Sequence, residues 1–563
     1  MCLVLVMSAN PFGRRKKREN ELFYAKLCGS LDDSPNFIFL PGLKAMKQPK
    51  SSNVSRNAAA QMLGRIFYLA TRVALPPFIL HYISMEEYGI WATCFLIIGY
   101  IGMGAFGVSN VYVRYVAEYN ATHRYEEIGP LLGAGLTLTI TFSALTLLAL
   151  WFSLPWLFVA FKIPLHLQPT AAVLILGTVA TMLLDMTFGA FAYVLQGMQK
   201  IAEQTAVWIV SYVVETLLMV TMMLQGFGVT SLLWAFVGRY LLATLAYVIL
   251  CYRAIPNLHI QFRGRGRGYF GLFFRYGGIM QISGLISVFL YSCERLVAGT
   301  LTGVSAVMLL DIGQKFPMMS TQVFSSANNS LLTALTHYHS LGQTEEIIRL
   351  YLRGTRYLNL LNGCALGFMA PFAMTIITAW MGPDPIYQDA GIIFVCAAFG
   401  YHLHALTGPA STYFQGISRP GSPIMGYLIP QIILLGAGLV GAYTGLGHTL
   451  LAVVIAATGA RMVSSGLFLL YTNSQLRVSQ WQWLWQAFLP GLVPYAIGYG
   501  LAMVSQPYLA QLDTSRLVLI PVLGGLAAVY GIVVLVVLYG VFCHTEERQM
   551  VKRLLGRVVP GLR

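Results

Sequence analysis

The sequence predicts an all-α integral membrane protein: two like six-helix bundles followed by one more helix pair, about fourteen spans in all. Three observations carry this reading. The chain of 563 residues is 57% hydrophobic and only 10% charged, where a soluble protein carries about 25% charged residues. The charge that would cover a water-facing surface is missing, so most of the surface faces lipid. Apolar runs of about 20 residues recur along the chain, and each can cross a bilayer as a helix that satisfies its own backbone. Finally, the chain repeats itself at a constant offset. Tyr119 with Glu126, Glu127 and Ile128 matches Tyr338 with Glu345, Glu346 and Ile347. Gln196, Gly197 and Lys200 match Gln415, Gly416 and Arg419 at the same offset, and Gln61 with Gly64 matches Gln281 with Gly284 one residue further on. Two like halves in a membrane protein usually hold a substrate site between them.

The elements follow in order. Residues 1–55 contain Arg14-Arg15-Lys16-Lys17-Arg18 and little apolar periodicity, and read as a mobile basic cytosolic tail. Their apolar start lacks the basic segment of a signal peptide, and Met46 opens a stretch that reads like a native start. The N-terminal bundle, 56–252, places spans near 57–82, 88–113, 128–153, 168–196, 204–223 and 229–252. The linker 253–275 holds Arg253, Arg263, Arg265, Arg267 and Arg275 and no acid. Its Arg-Gly alternation resembles an RNA-binding tract. A basic inner loop resting on anionic headgroups is what membrane topology demands, however, and no nucleic-acid partner is expected. The C-terminal bundle, 276–475, places spans near 276–298, 303–333, 354–380, 388–413, 425–443 and 449–471. The extra pair, 480–543, spans near 483–505 and 515–542, and a basic cytosolic tail, 544–563, closes the chain.

Most of the 36 Lys and Arg residues fall in the tails and on one set of loops, and the other set holds only Lys162, Arg295 and Arg516. This bias puts both termini in the cytosol. Six spans per half bring both copies in from the same side, so the repeat is parallel, with its axis along the membrane normal. The acid-bearing segments after the second and eighth spans then lie at the cytosolic surface and brace the bundles.

Several function classes have no support. The eight cysteines are scattered without paired spacing, so neither a zinc site nor a disulfide framework is expected. His402 and His404 stand two apart on a helix, on different faces, and make a poor metal pair. There is no phosphate-binding loop and no nucleotide-binding domain, so an ATP-driven pump is not expected, nor is any cofactor or metal.

Particular elements point to a family. Leu63-Gly64-Arg65 through Thr71-Arg72, Glu87-Tyr88-Gly89-Ile90-Trp91, Gly107, and Arg114-Tyr115-Val116-Ala117 together resemble the opening of bacterial polysaccharide flippases. These are the Wzx-type members of the multidrug/oligosaccharidyl-lipid/polysaccharide (MOP) exporter superfamily. The two Gln-Gly elements and Trp380-Met381-Gly382 fit the same family. The resemblance covers about residues 57–475. It implies a MATE-like fold and a transporter rather than an enzyme. It also implies a lipid-linked oligosaccharide on a polyprenyl pyrophosphate as cargo, moved to the outer leaflet of the bacterial inner membrane for cell-surface polysaccharide such as O-antigen or exopolysaccharide. Glycosyltransferases and a polysaccharide polymerase would be its partners, with membrane lipids around it.

The charges within the spans are compatible with such cargo. An ionisable residue at bilayer depth costs roughly 2.5–3.5 kcal/mol on insertion scales, so it is normally paired or lines a wet cavity. The cations are Arg65, Arg72, Arg239, Lys315 and Arg461, and the acids are Asp185, Glu215 and Asp311. A pyrophosphate needs several donors of fixed charge, which guanidinium supplies. Arg72, Lys315 and one or both of Arg239 and Arg461 are therefore expected to line a central cavity. Asp311 and Lys315, four apart, form either a self-neutralising pair or a gate. Asp185 and Glu215 carry a coupling ion or pair with Arg72 or Arg239. A MATE-like drug/cation antiporter would need an acidic cavity instead. A membrane-embedded polymerase or glycosyltransferase would show a long outer loop of catalytic residues, whereas the longest here, about 154–167, holds a single charge, Lys162.

Overall fold

The computed structural model describes residues 71–542 except 103–107, 257, 263–268, 274–292, 326–327, 418, 420, 446–448 and 513. Both basic tails, Arg65, Gly107, the Gln61/Gly64 and Gln281/Gly284 elements, the Arg-Gly tract and most of the seventh expected span lie outside the described residues. The described residues are helical with no strand. Nine helices among them are long and apolar enough to cross a membrane, and a tenth candidate is the bent pair Thr344–Met369 and Ala373–Met381, which turns by 66°. The chain is a multi-span membrane protein. The first, second, seventh and eighth expected spans each include residues outside the described set.

In the N-terminal half, α1 comprises 71–82, α2 Met85–Gly102, α3 Val108–Ala121, α4 Ile128–Ala160, α5 Gln168–Phe188, α6 Ala190–Gly197, α7 Ile201–Leu224 and α8 Thr230–Ala254. In the C-terminal half, α9 comprises 293–302, α10 Val304–Ser325, α11 Asn328–Ser340, α12 Thr344–Met369, α13 Ala373–Met381, α14 Gln388–Ala405, α15 Thr407–Gly416, α16 Ile429–Gly445 and α17 Leu450–Gln475. The added pair is α18, Leu489–Leu509, and α19, Arg516–Val537. Local chemistry sets several ends. Ser84 and Glu87 form a reciprocal capping box at the start of α2: the Ser84 N–H donates to Glu87 Oε2 at 2.8 Å and the Glu87 N–H to Ser84 Oγ at 3.2 Å. The ninth expected span is broken between α12 and α13, at a segment containing Pro371, which has no N–H for the helix ladder. Gly382 ends α13 at φ +110°, a conformation that L side chains rarely adopt. Threonine hydroxyls inside spans donate back to carbonyls one turn earlier, as Thr137 does to Gly133 O at 2.7 Å and Thr412 to Gly408 O at 2.8 Å. The hydrogens of these hydroxyls are then not left facing hydrocarbon.

The repeated Gln-Gly elements now have a physical reason. α3 packs on α6 in the first half, and α11 packs on α15 in the second. Gly197 sits at the first crossing, where a Cβ would lie 2.8 Å from Val116 Cβ and 3.1 Å from Val113 O. Gly416 sits at the second, where a Cβ would lie 3.3 Å from Leu335 Cβ. Small residues let helix backbones approach closely in a membrane. Gly197→Leu is expected to cost about 1–3 kcal/mol by overpacking, seen as a lower melting temperature in detergent; an unchanged melt would mean the crossing tolerates bulk. The repeated acids differ between copies. The Tyr269 hydroxyl, from the linker, donates to Glu127, whereas Glu346 pairs with Arg349 on its own helix at 2.8 Å.

The halves meet through α2 and α10. A Cβ on Gly89 would lie only 2.3 Å from Val304 O. Close by, Lys162 Nζ donates to Leu301 O at 2.6 Å, and the Trp380 indole donates to Val73 O at 2.6 Å. The added pair docks on α12 by similar close approaches. A Cβ on Gly491 would strike Asn359, and one on Gly498 would strike Gly367 O. His402 ties this seam together, hydrogen-bonding Tyr495 Oη at 2.9 Å and Asn359 Oδ1 at 2.7 Å. Asn359 Nδ2 in turn donates to Ala487 O at 2.7 Å.

Candidate functional site

One face of α1 repeats at helical spacing: Thr71, Arg72, Leu75, Pro76 and Ile79. That face lines a cavity between the halves whose other walls include Tyr88, Trp91 and Phe95 from α2, Tyr212 and Glu215 from α7, and Lys315 from α10. The cavity volume is about 60 Å³, room for a few water molecules. Two cations and one carboxylate therefore share one cavity, with one cation contributed by each half.

Aromatic rings set the geometry. The Arg72 guanidinium stands 5.6 Å over the Phe95 ring. Trp91 meets Phe95 and Phe236 edge-on, with centroids 5.1 and 6.0 Å apart. Such contacts orient a cation while leaving its N–H groups able to donate.

Behind the walls, Glu215 and Lys315 each meet an opposite charge. Arg239 is buried and donates from Nη1 to Glu215 Oε2 at 2.9 Å. Its guanidinium is sandwiched between the rings of Tyr212 and Tyr240, at 4.1 and 4.0 Å from their centroids. Arg239 thus holds Glu215 from behind and is not among the lining residues. Lys315 Nζ donates to Asp311 Oδ2 at 2.7 Å, Arg295 approaches Asp311 Oδ1 at 3.6 Å, and the Tyr88 hydroxyl donates to Asp311 Oδ2 at 3.1 Å. Pairing of this kind is what lets buried charge persist at bilayer depth.

Of the residues singled out in the sequence, the structure brings Arg72, Lys315 and Glu215 to one cavity, with Arg239 and Asp311 immediately behind. Asp185 lies on α5 within electrostatic reach of Arg239 and does not line the cavity. Arg461 lies elsewhere, on α17, where Nη2 donates to Glu294 Oε2 at 3.2 Å and the guanidinium sits 4.5 Å over the Tyr401 ring. Between Arg239 and Arg72 as partners for Glu215, the contact is made with Arg239. Sequence reasoning did not single out Glu294 or Tyr88, and it named Arg295 only among the few charges on the outer set of loops. The adjacent Glu294-Arg295 pair at the end of the seventh expected span was a signal, and Tyr88 stands inside the Glu-Tyr-Gly-Ile-Trp element quoted above. Among the described residues, no cluster of three or more His, Cys, Asp or Glu is arranged to hold a metal ion.

Comparison with known proteins places this arrangement. The chain resembles the solved structure of the lipid II flippase MurJ in an inward closed conformation (12% identity, 86% of this chain and 98% of that one, TM-score 0.64). It also resembles a multidrug resistance MATE family transporter of the MOP superfamily, in an inward-facing conformation (15% identity, 76% and 98% covered, TM-score 0.62). The likeness to an outward-facing MATE structure is lower (14% identity, 76% and 95% covered, TM-score 0.53). These likenesses show a MOP-type fold. No curated protein sequence matches the chain. A sequence profile described as polysaccharide biosynthesis protein matches residues 52–335, half of the chain and the part that supplies every wall of the cavity. The chain belongs to the polysaccharide biosynthesis protein family.

Proposed function

We propose that this protein is a flippase that moves a polyprenyl-pyrophosphate-linked oligosaccharide, or another polysaccharide precursor, across the bacterial inner membrane. Both termini are then cytoplasmic, and the protein serves glycosyltransferases on the inside and a polymerase on the outside. The observation that carries the reading is the cavity that Arg72 and Lys315 enter from opposite halves. A diphosphate between them would hold both halves at once, which suits a carrier whose halves must rock around a central site. Guanidinium and ammonium beside aromatic rings also suit a phosphorylated glycan. Membership in a polysaccharide biosynthesis family, together with a fold shared with a lipid II flippase, supports the same cargo class. A cavity of about 60 Å³ is far too small for a glycan, so the described state is one that cargo enters only as the halves part.

A drug/cation antiporter on the same fold is disfavoured by the cavity itself, where Arg72 and Lys315 face one carboxylate already held by Arg239. Glu215, the carboxylate lining this cavity, is paired with Arg239, which disfavours its use as a general base on a sugar.

The test is surface polysaccharide in cells that depend on this protein. Arg72→Ala is expected to lower display at least tenfold at an unchanged protein level in the membrane, and Arg72→Lys to restore part of it. Full display in Arg72→Ala cells would remove the proposal.

A further inference from the structure

We propose that Asp311 is a latch that ties occupancy of the cavity to contact between the two halves. The latch stands on its own geometry; only the identity of its trigger, a diphosphate, rests on the flippase reading. One carboxylate meets three groups from three helices. Asp311 Oδ2 accepts from Lys315, on its own α10, and from the Tyr88 hydroxyl, on α2 of the other half. Asp311 Oδ1 faces Arg295 of α9. Lys315 and Tyr88 both line the cavity. The Tyr88–Asp311 bond also sits beside a close contact between the halves, where Gly89 meets the Val304 carbonyl.

These positions imply an exchange of partners. In the described state Lys315 holds Asp311 in place, and Asp311 in turn holds Tyr88. An anion arriving between Arg72 and Lys315 competes with Asp311 for the ammonium. Once Lys315 is drawn into the cavity, Arg295 remains as a counter-ion to Asp311 in its own half. Turning toward Arg295 takes the carboxylate away from Tyr88 and breaks the hydrogen bond between the halves. No bond is made or broken covalently and no proton need move, because Tyr88 keeps its hydrogen throughout. A hydrogen bond to a charged acceptor is strong enough to shift such an equilibrium on the order of ten- to hundredfold. Opening at this end is thereby linked to loading, as a one-way carrier requires.

The experiment uses the full-length protein in nanodiscs. Spin labels are introduced through unnatural amino acids at Leu165 and Ile386, one in each half and both at exposed positions. Electron–electron resonance then reports the distance between them, and inorganic pyrophosphate is the probe. The unliganded protein is expected to show mainly the short distance, and pyrophosphate to raise the long-distance population about tenfold or more. Tyr88→Phe removes one hydroxyl and keeps both ion pairs, so it is expected to fold and to show the long distance without pyrophosphate. Arg295→Gln removes the second partner and is expected to hold the short distance even with pyrophosphate bound. A Tyr88→Phe protein with the wild-type distance distribution would overturn the latch, as would an Arg295→Gln protein that responds fully to the probe. Calorimetry separates the two proposals. If pyrophosphate does not bind at all, the cavity reading fails, while the ligand-free comparison of wild type with Tyr88→Phe still decides the latch.

Discussion

A Gly89→Leu protein is expected to insert into the membrane and yet fail to bring its halves together where α2 crosses α10. Even a bare Cβ at this position would sit 2.3 Å from Val304 O and 2.7 Å from its carbonyl carbon. The obstacle is backbone, so it cannot swing away as a flexible side chain would. Overpacking a tight contact costs about 1–3 kcal/mol and sometimes more, and each 1.4 kcal/mol is a factor of about ten in population. The closed arrangement should therefore lose at least about tenfold in population, with surface polysaccharide falling in proportion, while thermal stability of each bundle changes little. Gly89→Ala should give a smaller loss in the same direction. Normal polysaccharide display in Gly89→Leu cells would show that this crossing is not part of the working cycle.

The second large effect is expected from Glu215→Ala. Arg239 would then be left between Tyr212 and Tyr240 without its acceptor, in a site where its side chain is almost wholly inaccessible. Removing one partner of a buried pair typically costs 3–5 kcal/mol, because the remaining charge is buried and uncompensated. Most of the protein should be lost from the membrane fraction, and what remains should melt well below wild type. Replacing both partners, as Glu215→Ala with Arg239→Met, removes the stranded charge and should recover much of the stability. This recovery would leave the cavity short of its carboxylate, so stability and transport should separate in the double variant. Equal melting temperatures for wild type and Glu215→Ala would mean that the pair contributes nothing to the fold.

How much of this was legible in the sequence follows from what each signal depends on. Spans are written in the length of apolar runs, because a bilayer demands that every backbone group be satisfied within the segment. The repeat was legible in Gly197 and Gly416 because a helix crossing leaves no room for a side chain. Trp380 and Gly382 stood out together for separate reasons, one donating across the halves and the other adopting a positive φ that L side chains rarely take. Partnerships between charges were far less legible, because they depend on the rotational phase of each helix and on which helices become neighbours. Arg72 and Val73 are adjacent in the chain, yet Arg72 faces the charged cavity while Val73 faces a separate groove of about 580 Å³ lined by Pro77, Phe78 and Arg516. Arg239 and Arg461 look equivalent in the repeat, but one is held by Glu215 from the preceding helix and the other by Glu294, far away in sequence. The breaks at Gly189 and at Leu406 also escaped a reading by hydropathy, which sees an unbroken apolar run wherever the interruption is itself apolar.

The most direct measurement of the central claim is transbilayer movement in proteoliposomes containing the purified protein and a fluorescent polyprenyl-pyrophosphate disaccharide, followed by loss of protection from a membrane-impermeant quencher. The wild-type protein should expose the inner-leaflet pool, and a protein carrying both Arg72→Ala and Lys315→Ala, reconstituted at equal density, should move it no faster than empty vesicles. Movement by the double variant at the wild-type rate would contradict the claim that these two cations, one from each half, hold the cargo's diphosphate.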